Sequence, residues 1–99
     1  MGTRQVALSV NGAPIELDYF VQGFIDHAVG GMLESLEGTG EIETVDLSID
    51  GGSVGVTLNS ATVPVNPFVT SIIKSTVIGM VSTLKGVGEV KTLNISIKR

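Results

Sequence analysis

His27 is the one side chain in this 99-residue sequence whose ordinary pKa lies near neutrality, and there is no cysteine. Thiolate metal sites, thiol nucleophiles and disulfides are thereby excluded. Acid–base chemistry reduces to His27 with Glu34, two helical turns further on, since Asp26 is adjacent in sequence but projects elsewhere around a helix. A lone pair of this kind, with no second histidine at ligand spacing, reads as a surface histidine.

Other candidate motifs are equally weak. Asp46-Leu47-Ser48-Ile49-Asp50-Gly51 opens like a calcium loop, but Thr57 stands where the twelfth-position Glu belongs. Its flanks alternate as strands do. Gly38 and Gly40, like Gly86 and Gly88, follow helical patterns. Phosphate-cradling glycines precede a helix, so these read as helix stops. Asn94-Ile95-Ser96 is a formal glycosylation sequon with no secretion signal beside it. The expectation is a non-enzymatic chain with no cofactor, metal or catalytic site.

The elements that would position any site are clearer. Val6, Leu8 and Val10 alternate with small or polar residues, which predicts a half-buried strand. Asn11-Gly12 marks a turn, and Ile15 and Leu17 resume the alternation. Asp18 stands at an N-cap position before an apolar series, Phe20, Val21, Phe24, Ile25, Ala28, Val29, Met32, Leu33 and Leu36, that fills one side of a helix. Val45, Leu47 and Ile49 predict a further strand, and Asp50-Gly51-Gly52 a hairpin turn.

A shift of 48 lays residues 3–50 on residues 51–98 without a gap. It gives 16 identities, among them Asn11 with Asn59, Phe20 with Phe68, Gly31 with Gly79 and Met32 with Met80, several times the number that composition alone supplies. Asn66-Pro67 stands where the first unit has its N-cap. The pattern predicts a single α+β domain over residues 1–99, built from a duplicated β-β-α-β unit. Its architecture would be a six-stranded, mostly antiparallel sheet with two long helices on one face. A partly closed pseudo-twofold barrel is the alternative. Matched small residues, Gly31 with Gly79 and Ser35 with Thr83, would let the two helices approach closely.

Composition narrows the partners. Hydrophobic residues make up 42% and charged residues 16%, and mean hydropathy is positive, more apolar than a small lone domain requires. A net charge of −4 argues against nucleic acid. The most apolar stretch, Val63 to Val81, carries Asn66, Pro67 and Lys74 and reads as an amphipathic helix rather than a membrane span. With no signal peptide in view, the expected location is the cytoplasm. Nine of the ten acids precede Gly51, and five of the six bases follow it, so the halves carry −8 and +4. Such a split suits complementary association.

The helix sides expected to face solvent carry Asp26 and Glu34 in the first unit, and Ser71, Lys74, Ile78 and Ser82 in the second. An isoleucine among serines resembles the centre of a contact patch. These six residues form the candidate interaction surface. The expected function is a non-catalytic assembly or protein-binding module, a homo-oligomer in the simplest case. The alternative is a small-ligand binding protein with an apolar pocket lined by Phe20, Phe24, Phe68 and the methionines. No motif ties the chain to any one family.

Overall fold

A computed structural model describes residues 5–37, 42–84 and 87–99. In chain order the elements are β1 (Gln5–Val10), β2 (Ala13–Ile15), α1 (Tyr19–Glu37), β3 (Thr44–Asp50), β4 (Ser53–Leu58), β5 (Ala61–Val63), α2 (Pro67–Val81) and β6 (Thr92–Lys98). The architecture is α+β, a six-stranded antiparallel sheet with two helices.

Turn chemistry explains the hairpins. β1 and β2 are joined by Asn11 at φ 53° and Gly12 at φ 81°, the two left-handed residues of a two-residue turn that matches strand twist. β4 and β5 use Asn59 at φ 49° and Ser60 at φ 69°. A left-handed Ser is strained by about 1–2 kcal/mol, while Gly there would lose more freedom on folding. Ser60→Gly is therefore expected to stabilise the fold by about 0.5 kcal/mol, read as a higher urea midpoint.

Both asparagines do more than turn the chain. Asn11 Oδ1 accepts hydrogen bonds from the backbone N–H groups of Lys91 and Thr92 at 2.7 and 3.0 Å, and its Nδ2 donates to the Glu89 carbonyl. Asn59 Oδ1 accepts from Glu43 and Thr44 at the same two distances. Each side chain thus fixes the start of a strand that follows a helix: β6 for Asn11 and β3 for Asn59.

The helix starts follow their caps. Asp18 Oδ1 accepts from the Val21 N–H at 2.7 Å, and Asn66 Oδ1 accepts from the Val69 N–H at 2.8 Å with Pro67 in the first turn. α2 is 15 residues long where α1 is 19. At its end Ser82 Oγ donates to the Ile78 carbonyl and Thr83 Oγ1 to the Met80 carbonyl. These local bonds compete with the helical ladder and end it early. The helix stops expected at Gly38 and Gly86 lie outside the described residues.

The sheet order is β2-β1-β6-β3-β4-β5, with every neighbouring pair antiparallel. β6 lies between β1 and β3, so each half of the chain lends its last strand to the first strand of the other. The sheet is open, which corrects the barrel alternative. Its edges, β2 and β5, are three residues long. Pro14 within β2 and Pro64 just past β5 lack the N–H that further pairing would need. Short, proline-marked edges also discourage edge-to-edge aggregation.

One face of the sheet is aliphatic. Leu47 and Ile95, each 0% exposed, pair across the central strands β3 and β6. Leu8, Val10, Val45, Ile49, Val56, Leu58, Leu93 and Ile97 surround them. The helices cover this face with Ile25, Val29 and Leu33 from α1 and Ile73, Val77 and Val81 from α2, spaced four apart. The other face presents Ala7, Asp46, Ser48, Asp50 and Gly55 to solvent, with Asn94 Nδ2 donating to Asp46 Oδ1 at 2.9 Å. The calcium-like run is thus strand β3 and its turn. Asn94 of the formal sequon sits half-buried in β6.

Candidate interaction face

Every buried hydrophobic residue among the described residues is Leu, Ile or Val. The chain has four aromatic residues, one Tyr and three Phe, and all four are exposed: Tyr19 at 80%, Phe20 at 76%, Phe24 at 54% and Phe68 at 71%. Burying one such ring is worth roughly 2–3 kcal/mol, which the isolated chain forgoes four times.

Helical geometry places them. In α1 the stripe Ile25, Val29, Leu33 points at the sheet, so Phe20 and Phe24 lie about 100° to one side, beyond the part of the apolar arc that the sheet covers. They pair one turn apart, with ring centroids 6.4 Å apart and planes tilted 40°. Tyr19 and His27 flank them, and Gly23 and Ala28 leave the ridge bare between. A groove of about 270 Å³ runs between the helices, walled by Phe20 and Phe24 of α1 and by Met80, Thr83 and Leu84 after and within the end of α2. The first turns of α1 therefore lie beside the last turns of α2.

Phe20, Phe24 and Phe68 belong, by apolar type, to the buried side of their helices. The structure moves all three outside. Two helices on one sheet bury a stripe about one residue wide per turn, narrower than the arc these sequences carry. Gly31 and Gly79 are also corrected. Both are exposed, and a Cβ built on either meets nothing within 4 Å. They do not draw α1 and α2 together. They stand bare on the outside of the helical layer.

The six residues expected at an interaction surface divide. Glu34, Ser71 and Ser82 are exposed. Ser71 and half-buried Lys74 share a polar depression with Thr70, Pro67, Val65 and Gly52. Ile78 is half-buried and packs against the core, so it is not the exposed centre of a patch.

Asp26 is the largest departure, at 2% exposure. Arg99 Nε donates to its Oδ1 at 2.8 Å, and Arg99 Nη2 donates to its carbonyl at 3.3 Å. The pair is separated by 73 residues in sequence. Gly30 makes room for it, since a Cβ there would come within 2.5 Å of Arg99 Nη2. Ile78 occupies the position 48 residues on from Gly30 and fills with hydrocarbon the flank that the guanidinium covers in α1. An apolar residue within a supposedly polar arc was the signal that this flank is partly covered.

Among the described residues no group of three or more His, Cys, Asp or Glu could hold a metal ion. His27 is exposed on the rim of the aromatic ridge. No described helix is long and apolar enough to cross a membrane. Compared with known proteins, the chain matches no family model, no curated protein and no solved structure.

Proposed function

We propose that this chain is a non-catalytic interaction module whose working surface is the outer face of its helical layer. The observation that carries the reading is the exposure of all four aromatic side chains. Aromatic residues are enriched where proteins meet one another, because a rigid ring buries much area at little entropic cost. At about 200 Å² per ring, the four expose roughly 550 Å². Tyr19, Phe20 and Phe24 on α1 account for most of it, within the range of the largest apolar patch on an ordinary monomer, and Phe68 adds the rest from α2.

The ligand-binding alternative is less well supported. The groove between the helices, about 270 Å³, is smaller than most drug-sized pockets, which run about 300–1,000 Å³, and the larger concavity of about 980 Å³ along Tyr19, Phe20, Phe24 and His27 is shallow and open to solvent.

We also infer that the module arose by duplication of a 48-residue unit. Strand registers support this beyond the sequence match. β1 meets β6 with Leu8 opposite Ile95, and β4 meets β3 with Val56 opposite Leu47, the same pairing shifted by 48 in each strand. The paired asparagines Asn11 and Asn59 make matching bonds to positions 91 and 92 and to 43 and 44. A twofold through the Leu47–Ile95 pair relates the halves.

The docking reading makes a sharp statement about stability. The double variant Phe20→Ser/Phe24→Ser is expected to unfold in urea within about 1 kcal/mol of the parent, whereas a buried Phe costs about 3–5 kcal/mol on truncation. Low micromolar protein should be used, where coupling to association is smallest. A loss of core size would show that these rings hold the fold together, and the docking reading would be abandoned.

A further inference from the structure

We infer that the occupant of the outer helical face is a second copy of this chain, arranged so that α1 of each copy lies over α2 of the other. The inference rests on the docking reading above and names its partner.

The other surfaces of the chain are poor candidates. The outer sheet face carries Asp46, Ser48 and Asp50, and the sheet edges are three residues long and marked by proline. α1 and α2, about 28 and 22 Å long at 1.5 Å per residue, lie side by side on a molecule measuring 37 × 34 × 18 Å. A stable dimer covers about 800 Å² on each partner. The exposed rings supply most of that, and the glycine, serine and threonine surface between them supplies the remainder.

Shape decides between a copy and any other partner, and also fixes the arrangement. α1 carries the ridge, Tyr19, Phe20 and Phe24. The outer side of α2 past Phe68 is low, with exposed Ser75, Thr76 and Gly79. Ridge on ridge would hold the backbones apart. Ridge into groove is how helices pack.

A twofold axis running in the face, parallel to the helices and midway between them, exchanges α1 and α2 while keeping the level along the helix axis. Phe20 and Phe24 already stand level with Met80 and Thr83 of their own chain. The same twofold therefore sets Phe24 at the level of Gly79 of the second copy, close to the axis. By the repeat, Ile72, the position matching Phe24, is set at the level of Gly31, and Phe68, the mate of Phe20, lies one turn from it. Every contact occurs twice, as an isologous interface requires. Gly31 and Gly79, where a Cβ meets nothing within 4 Å among the described residues, leave room for that approach.

The test is absolute mass by light scattering on the full chain. The expected value is twice the chain mass of 10.2 kDa. Phe24→Asp and Gly79→Leu should each return the single-chain mass. Gly79→Leu is the cleaner variant, because a Cβ there meets nothing within 4 Å among the described residues, and it decides the matter if Phe24→Asp fails to fold. Since the chain has no cysteine, mixing Phe24→Cys with Gly79→Cys protein under mild oxidation should give a cross-linked pair. A single-chain mass for the parent at every concentration overturns the inference and leaves the docking reading standing, which falls on the separate urea result. A dimer indifferent to both substitutions overturns it as well.

Discussion

Leu47→Ala is expected to destabilise the chain by about 3–4 kcal/mol, and Ile95→Ala by the same amount to within about 0.5 kcal/mol. Both residues are 0% exposed and face each other across the two central strands. Truncating either removes its own transfer free energy and opens a cavity beneath both helices, where the sheet has least room to collapse. The equality is the informative part. If the chain is two superposable units, the two positions have the same surroundings seen from opposite sides. Urea unfolding of the two single variants measures it. Costs differing by more than about 1.5 kcal/mol would mean that the halves have diverged in packing. The double variant should cost less than the two singles together, because both remove the same contact.

Arg99→Ala is expected to cost about 2–3 kcal/mol. The Asp26 side chain is 3% exposed, and the Arg99 Nε bond at 2.8 Å compensates its burial. Removing one partner of a fully buried ion pair costs about 3–5 kcal/mol. Here the Arg99 side chain is 32% exposed, and solvent screening trims the figure. A double-mutant cycle with Asp26→Ala should return a coupling of about 1.5 kcal/mol or more, and the coupling should persist in salt, since a buried pair is weakly screened. An Arg99→Ala protein as stable as the parent would show that the bond is absent in solution.

Much of the fold was legible in the residues. Alternation of Val45, Leu47 and Ile49, and of Leu93, Ile95 and Ile97, identified the central strands and their buried face, because period two admits one assignment once a face is apolar. Asn11-Gly12, Asp18 and Asn66-Pro67 marked turns and helix starts through local backbone chemistry. The site was much less legible. Apolar type alone cannot distinguish Phe24 from Ile25 on a helix whose apolar arc exceeds what the sheet covers. Only the packing angle decides which edge overhangs. Asp26 looked solvated because its partner lies 73 residues away, and no local pattern encodes so distant a bond. The placement of β6 between β1 and β3 is likewise a tertiary choice, invisible in either strand.

Tyr19 offers the most direct measurement of whether the helical face is covered. It is the only tyrosine, there is no tryptophan, and in the single chain it is 80% exposed on the ridge. Acrylamide quenching of its fluorescence therefore reports on this face alone. The expected result is protection in the parent at high concentration, lost on dilution and absent at every concentration in Gly79→Leu. Quenching that is equally strong in both proteins at all concentrations would mean the face stays bare, and would contradict a second copy seated upon it.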